Sequence, residues 1–393
     1  MRDQQVYLDY AAGAPLLPEV KTRMDEVGEG LVNGEYGNPS ALYATGQRSR
    51  RLLDEARMQV ALLIDAQPSE IIFTSGGTES NNTVIQAFQR QIIWTTPIEH
   101  PSILEPLRKF SRQKARFVSV DNEGRVSPKN FYRDPDPKYC PSLVSVMLAN
   151  NEIGVIEPVR EISMKCRSPK YKTLVHTDAT QAIGKIPVDV NELKVDLLSF
   201  SAHKIGGPAG IGVLYVRKSA HVRPLLSGGD QERGRRAGTE NLMLIAGLAK
   251  AAELARARLT EWDKVAGLRD QLRAEILREI PHVSCNSPKE GCLPNILNVS
   301  FEAIEGEAIQ LMLDATGIAV STGSACASSK LEPSHVIMAI RGDAEIAHGS
   351  VRFSLGLNTT ESDIQKVMAV LPKIVAKLRD MSTLKAGEHD KES

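Results

Sequence analysis

Lys204 stands in Ser201-Ala202-His203-Lys204-Ile205-Gly206-Gly207, directly after a strand-like apolar run. Asp178 ends another such run 26 residues earlier, in His176-Thr177-Asp178-Ala179-Thr180-Gln181. An amine delivered into a turn of small residues can condense with an aldehyde. A carboxylate nearby can keep a heteroaromatic nitrogen protonated, so that the ring accepts electrons. Pyridoxal 5'-phosphate (PLP) needs both groups, and small neighbours let the backbone come close to it. Taken singly, the lysine also reads as a surface residue after a strand and the aspartate as a helix cap. The pair gains its meaning from what accompanies it.

Ser75-Gly76-Gly77-Thr78 follows a strand-like run and precedes an amphipathic segment. Amides at a helix N-terminus, with the Thr78 hydroxyl, make a phosphate site; a glycine turn with a threonine cap is the plainer reading. Neither G-x-x-x-x-G-K-[ST] nor a strand-linked G-x-G-x-x-G occurs, which argues against a nucleotide site. Arg352 lies inside the apolar run Val351-Arg352-Phe353-Ser354. A charge there must be paired or belong to a site. Its forked guanidinium suits a substrate carboxylate, and a structural salt bridge is the alternative. Cys326 sits in Ser321-Thr322-Gly323-Ser324-Ala325-Cys326-Ala327-Ser328-Ser329, which has no bulky side chain. Such a stretch cannot pack strongly, so the sequence predicts a mobile loop whose thiol reaches a bound substrate and then carries product outward. Cys140, Cys166, Cys285 and Cys292 lack such surroundings and read as structural or incidental. Cys285 and Cys292 do not have zinc-site spacing, and no metal is expected.

The elements that must position these residues are legible as well. Apolar runs over 71–74, 92–95, 115–120, 143–148, 174–177, 197–200 and 211–216 predict seven strands. Separated by helical stretches such as 48–64, they imply an α/β fold with a mainly parallel sheet buried on both faces. A helical stretch over 241–280, broken near Trp262, leads to strands at 296–301, 318–321 and 350–355 and a helix over 361–381. The expected division is a large domain at 15–258, a smaller α+β domain from 1–14 and 259–382 that carries the cysteine loop, and a polar tail at 383–393.

Composition excludes several classes. Lys+Arg and Asp+Glu both number 48, so no basic excess marks a nucleic-acid or membrane-surface protein. No apolar run approaches the roughly 18–20 residues that span a bilayer, and the N-terminus shows no signal-peptide core. Five widely spaced cysteines form no disulfide framework, which points to a reducing, cytoplasmic setting.

With these segments in order, the chain resembles the class V aminotransferase group of fold-type I PLP enzymes, and within it the NifS/IscS type of cysteine desulfurase. The motifs that carry the resemblance are those above together with Tyr7-Leu8-Asp9-Tyr10-Ala11-Ala12, Gly37-Asn38-Pro39-Ser40, Glu99-His100, Asn150-Asn151-Glu152-Ile153-Gly154, Arg236-Ala237-Gly238-Thr239 and Pro294-Asn295-Ile296-Leu297-Asn298. They run from residue 7 to about 380. The resemblance implies a PLP-dependent conversion of L-cysteine to L-alanine, with a persulfide formed on Cys326 and passed to a sulfur-acceptor protein. Selenocysteine lyase or aminotransferase activity on the same scaffold is the alternative. It implies further roles: Gly77, Thr78, Ser201 and His203 on the phosphate, with Thr239 lent by the other subunit of a homodimer; His100 stacked on the ring; Gln181 on its phenolic oxygen. Asn151 would contact cofactor and substrate carboxylate, and Asn38 the substrate. The chain departs from the family at Tyr10-Ala11-Ala12-Gly13-Ala14-Pro15, where threonines are usual, and its C-terminus follows the last helix closely. Delivery to an iron–sulfur scaffold is the step these departures put in question.

Overall fold

The computed structural model describes residues 5–131, 140–167, 172–322, 332–384 and 386–387. Twelve strands occur among them: β1 Val6–Tyr7, β2 Ile71–Thr74, β3 Ile93–Thr95, β4 Ala115–Phe117, β5 Leu143–Ser145, β6 Leu174–Asp178, β7 Leu197–Ser201, β8 Gly212–Val216, β9 Val283–Cys285, β10 Ile296–Phe301, β11 Ile318–Ala319 and β12 Ser350–Ser354. All seven strands expected in the first two-thirds of the chain join one sheet, ordered β2-β8-β7-β6-β5-β3-β4. Its neighbours are parallel except β8, which runs antiparallel to both β2 and β7. Continuous apolar runs such as Leu-Leu-Ser-Phe-Ser at β7, buried at every position, are what a sheet covered on both faces requires. β5 is shorter than the apolar run that announced it. Beyond Ser145 the chain still donates from Val146 and Leu148 to His176 and Asp178 carbonyls, so the pairing loosens without being abandoned.

The helices Leu242–Ala257 and Trp262–Glu279 meet at a short 3₁₀ turn, Leu259–Glu261, where the sequence predicted a break. After them, β10 pairs antiparallel with β12 and β9, and β1 returns from the N-terminus to lie parallel to β11. A second buried cluster packs there: Leu8, Trp262, Leu272, Val299, Phe353 and Leu371 belong to it, separate from the core built around Trp94, Val144, Phe200 and Tyr215. The last helix, Glu361–Met381, opens with a reciprocal cap in which Thr360 and Asp363 satisfy each other's amides.

The N-terminal strap joins the two cores. Ala11 N–H donates to Ser354 Oγ at 2.9 Å, Ala14 N–H to His203 O at 2.9 Å and Leu17 N–H to Gly206 O at 3.0 Å. Gly206 has φ +75°, and a Cβ there would lie 2.6 Å from Leu17, so only glycine lets the strap close on the turn after β7.

Candidate active site

The carboxyl ends of the parallel strands, where ligands bind in open α/β sheets, bring the predicted residues together. Asp178 ends β6, and Lys204 ends the 3₁₀ turn Ala202–Lys204 that follows β7. The turn after β2 opens the helix Gly77–Ala87, and His100, after β3, caps the helix Pro101–Phe110.

Lys204 Nζ donates to Ala11 O and Ala12 O at 2.6 and 2.7 Å, so the strap supplies acceptors from its main chain. Asp178 is buried and accepts from Asn81 Nδ2 at 2.7 Å and from Thr180 N–H at 2.9 Å. The same Asn81 amide donates to Ser102 Oγ at 2.8 Å, which lies 2.7 Å from His100 Nδ1. Ser102 N–H also points at that nitrogen, at 3.1 Å, so Nδ1 is the acceptor and the neutral ring carries its proton on Nε2. Burial pushes the His100 pKa down, with Asp178 opposing and Lys204 adding to the shift. One chain of contacts therefore fixes the Asp178 carboxylate and the His100 ring relative to each other. Gln181 Nε2 donates to Ala11 O at 2.9 Å, while its Oε1 is buried with no partner among the described residues.

The phosphate candidate is a turn held by charge. Glu79 accepts from Ser75 N–H at 2.7 Å and pairs with Arg236 at 3.0 Å; these bonds hold its carboxyl below the usual range despite the opposing effect of burial, the largest single contribution. Arg236 belongs to a loop anchored by Glu232, which grips buried Arg57 through two bonds of 2.7 Å and accepts from Phe73 N–H at 3.0 Å. The helix Gly77–Ala87 has no side-chain cap, leaving first-turn amides for an anion. A Cβ on Gly212 would stand 2.6 Å from the Gly76 backbone, which is how closely the turn sits on β8. Thr78 is exposed. Ser201 Oγ is 2.8 Å from His203 Nδ1, and burial, with Lys204, His100 and Lys185 nearby, takes the His203 pKa down to about 4. His203 is thus neutral at pH 7 and would meet a phosphate as a hydrogen-bond donor.

Arg352 is deeply buried. Its Nη2 pairs with Asp9 at 2.8 Å and Nη1 donates to Asn151 O at 2.9 Å; Nε is buried without a partner among the described residues. The salt bridge and a buried, unpartnered donor therefore coexist on one guanidinium. Asn151 enters through its carbonyl, in a turn pinned by Asn150 Oδ1, which accepts from Glu152 and Ile153 amides. Two residues are not gathered in. Asn38 is exposed and its Oδ1 accepts from Ser40 N–H at 2.9 Å, a local turn contact. Thr239 is exposed on this subunit.

Cys326 lies outside the described residues, but both flanks of that segment reach the site. Ser321 exchanges backbone bonds of 3.2 and 2.7 Å with Arg352. On the other side Ser334 Oγ donates to Glu152 at 2.5 Å, and His335 Nε2 lies 3.0 Å from Glu99 O, beside His100.

Asp9, Asn81, Ser102, Glu79 and the strap carbonyls escaped the sequence reading. Asp9 stands inside the motif Tyr7-Leu8-Asp9-Tyr10-Ala11-Ala12 and Glu79 directly follows Ser75-Gly76-Gly77-Thr78, and both could have been paired with the two arginines; main-chain acceptors leave no residue-type signal. The residues present fit PLP on structural grounds: an amine, a buried carboxylate, an orphaned buried amide oxygen and an uncapped helix start converge.

The family model Aminotransferase class-V matches residues 6–367. The chain is 45% identical to "Cysteine desulfurase IscS" of Dictyoglomus turgidum over 391 residues, covering 97% of each. It is similar to the solved structure of a "NIFS-LIKE PROTEIN", with TM-score 0.86 and 37% identity over 95% of this chain and 100% of that one. The structure titled "SspA in complex with cysteine" matches with TM-score 0.75 and 30% identity, over 91% and 100% of the two chains.

Proposed function

The chain belongs to the class-V aminotransferase family, and from that premise we infer that it is a PLP-dependent cysteine desulfurase converting L-cysteine to L-alanine. The relatives named cysteine desulfurase favour this over the lyase and aminotransferase alternatives. The observation that carries the reading is the convergence of Lys204, Asp178 and Arg352 with both flanks of residues 323–331. A cysteine-bearing segment whose described flanks lie beside the proposed substrate grip has no use in an ordinary transamination.

When bound, PLP supplies an electron sink for charge developing at the substrate's α-carbon. Lys204 would hold it, with Asp178 on the ring nitrogen and Gln181 near the ring's phenolic oxygen. The Ser75–Thr78 turn, Ser201 and His203 would take the phosphate. Arg352, with Asn151, would orient the substrate carboxylate. Lys204 Nζ accepts the α-proton, and His100 Nε2–H is the nearby donor that its tautomer supplies. The Cys326 thiolate attacks the substrate sulfur: the S–S bond forms, the substrate C–S bond breaks, and its electron pair goes to carbon, which is protonated to give alanine. The persulfide then passes to a sulfur-acceptor protein of cluster assembly or of tRNA or cofactor thiolation. Incubating loaded enzyme with purified candidates of each kind, and following labelled sulfur, tests that step; transfer to none would remove it.

Arg352→Lys keeps the charge and loses the guanidinium's several donors, which here hold Asp9 and the Asn151 carbonyl in place. KM for cysteine is expected to rise roughly tenfold or more while PLP content holds. Unchanged kinetics would leave Arg352 only its salt bridge to Asp9.

The active unit we propose is a homodimer, on the ground that Thr239 is exposed on its own subunit in a loop tied to the phosphate turn through Arg236. Sedimentation velocity at nanomolar to micromolar concentration should show a dimer. A fully active monomer contradicts the shared site.

A further inference from the structure

Lys185 is buried, 4% exposed, in the turn that follows β6. Gly184, at φ +71°, brings the chain so close to Ile205 that a Cβ would stand 3.0 Å from its side chain. The lysine after it is thereby directed inward. Its Nζ donates to Gln181 O at 3.0 Å and points to Lys204 O at 3.5 Å, with the Trp262 ring 6.0 Å away. No carboxylate pairs with it among the described residues. An amine buried on two carbonyls and a ring face is costly to hold there. Burial, with Lys204 adding to it, takes its pKa down to about 7.

Gln181 and Lys204 are separate pieces of the site, one following β6 and the other β7, and a single nitrogen reaches the main chain of both. We propose that Lys185 is a positioning residue that bridges the Gln181 and Lys204 carbonyls and so sets where the Lys204 amine stands relative to the Asp178–Gln181 turn. It acts from behind. The cavity of about 120 Å³ that Lys185 and Lys204 line with Tyr10 and Trp262 includes neither Asp178, Gln181 nor any residue of the Ser75–Thr78 turn. The Lys185 amine is spent on the Gln181 and Lys204 carbonyls, behind the turn that carries Lys204. The strap carbonyls hold the tip of Lys204, and Lys185 holds its root.

This rests on Lys204 being the cofactor lysine, and the experiment separates the two claims. Wild-type enzyme is reduced with borohydride and mapped by mass spectrometry; a label on any residue other than Lys204 removes the underlying reading, whatever Lys185 does. Apo-protein of wild type and Lys185→Met is then mixed with PLP, and covalent capture is followed by absorbance. Binding of pyridoxamine 5'-phosphate, which cannot condense with a lysine, is measured in parallel by fluorescence. Capture is expected to slow at least tenfold in Lys185→Met, with pyridoxamine phosphate affinity within twofold of wild type. In the loaded enzyme kcat falls and KM for cysteine holds. Equal loss of both binding modes would make Lys185 merely structural, and wild-type capture would make it idle; either overturns the proposal. Lys185→Gln, a shorter donor, takes the same measurements should the methionine variant not fold.

Discussion

Lys204→Ala is expected to fold, to bind PLP only reversibly, and to lose desulfurase activity by on the order of 10⁴-fold, the range of a positioned acid–base group. Folding should survive because Lys204 is not what closes the strap. Ala14 and Leu17 amides still donate to His203 and Gly206 carbonyls, and Ala11 still meets Ser354. What disappears is the only group we place where it can both bind the aldehyde and take the α-proton. The measurement is the visible spectrum before and after borohydride, followed by dialysis: wild type retains a fixed chromophore and the variant releases it. A chromophore that is still fixed in the variant would move the role to another lysine, with Lys185 the first to map.

The sequence was most legible where chemistry and periodicity coincide. Seven apolar runs were expected as strands and all seven lie in the large sheet, because burial on both faces leaves an unbroken apolar signature. The helix Glu361–Met381 carries its own cap and amphipathic period, so its limits were readable. β11 ended early, at Ala319, since Ser321 leaves the β1 ladder to pair with Arg352, a choice set by tertiary contact. At the site, side chains with distinctive chemistry were found: Lys204, Asp178, His100. Their supports were not. Asn81 looks like any polar helix residue, yet it links Asp178 to Ser102 and so to His100. Arg352 read as a charge needing a reason, and the sequence offered a grip or a salt bridge; the guanidinium makes the salt bridge and keeps a buried Nε without a partner among the described residues. Lys185 passed unnoticed because a lysine after glycine in a turn normally signals solvent.

The second large effect concerns sulfur. Cys326→Ser is expected to bind PLP and cysteine normally, as judged by the cofactor's spectral change on mixing, and to release alanine at less than about one part in a thousand of the wild-type rate. Serine nearly preserves volume and removes the one atom that can form an S–S bond, so loss without unfolding isolates that step. Three of the other thiols are poor substitutes. Cys166 is buried, and burial pushes the Cys285 and Cys292 thiols up, away from the thiolate that attack requires. Arg269, 3.1 Å from the Cys292 Sγ, opposes that shift without overcoming burial. Position argues the same way: the segment holding Cys326 leaves the described chain beside Arg352 and rejoins it beside Glu152, next to Asn151, so both tethers lie at the proposed carboxylate grip. The variant is mixed with cysteine, alanine is quantified, and persulfide is mapped by alkylation and mass spectrometry. Normal alanine release would end the persulfide mechanism. Persulfide on Cys140, Cys166, Cys285 or Cys292 in the wild type, with Cys326 unmodified, would keep the mechanism and replace the carrier.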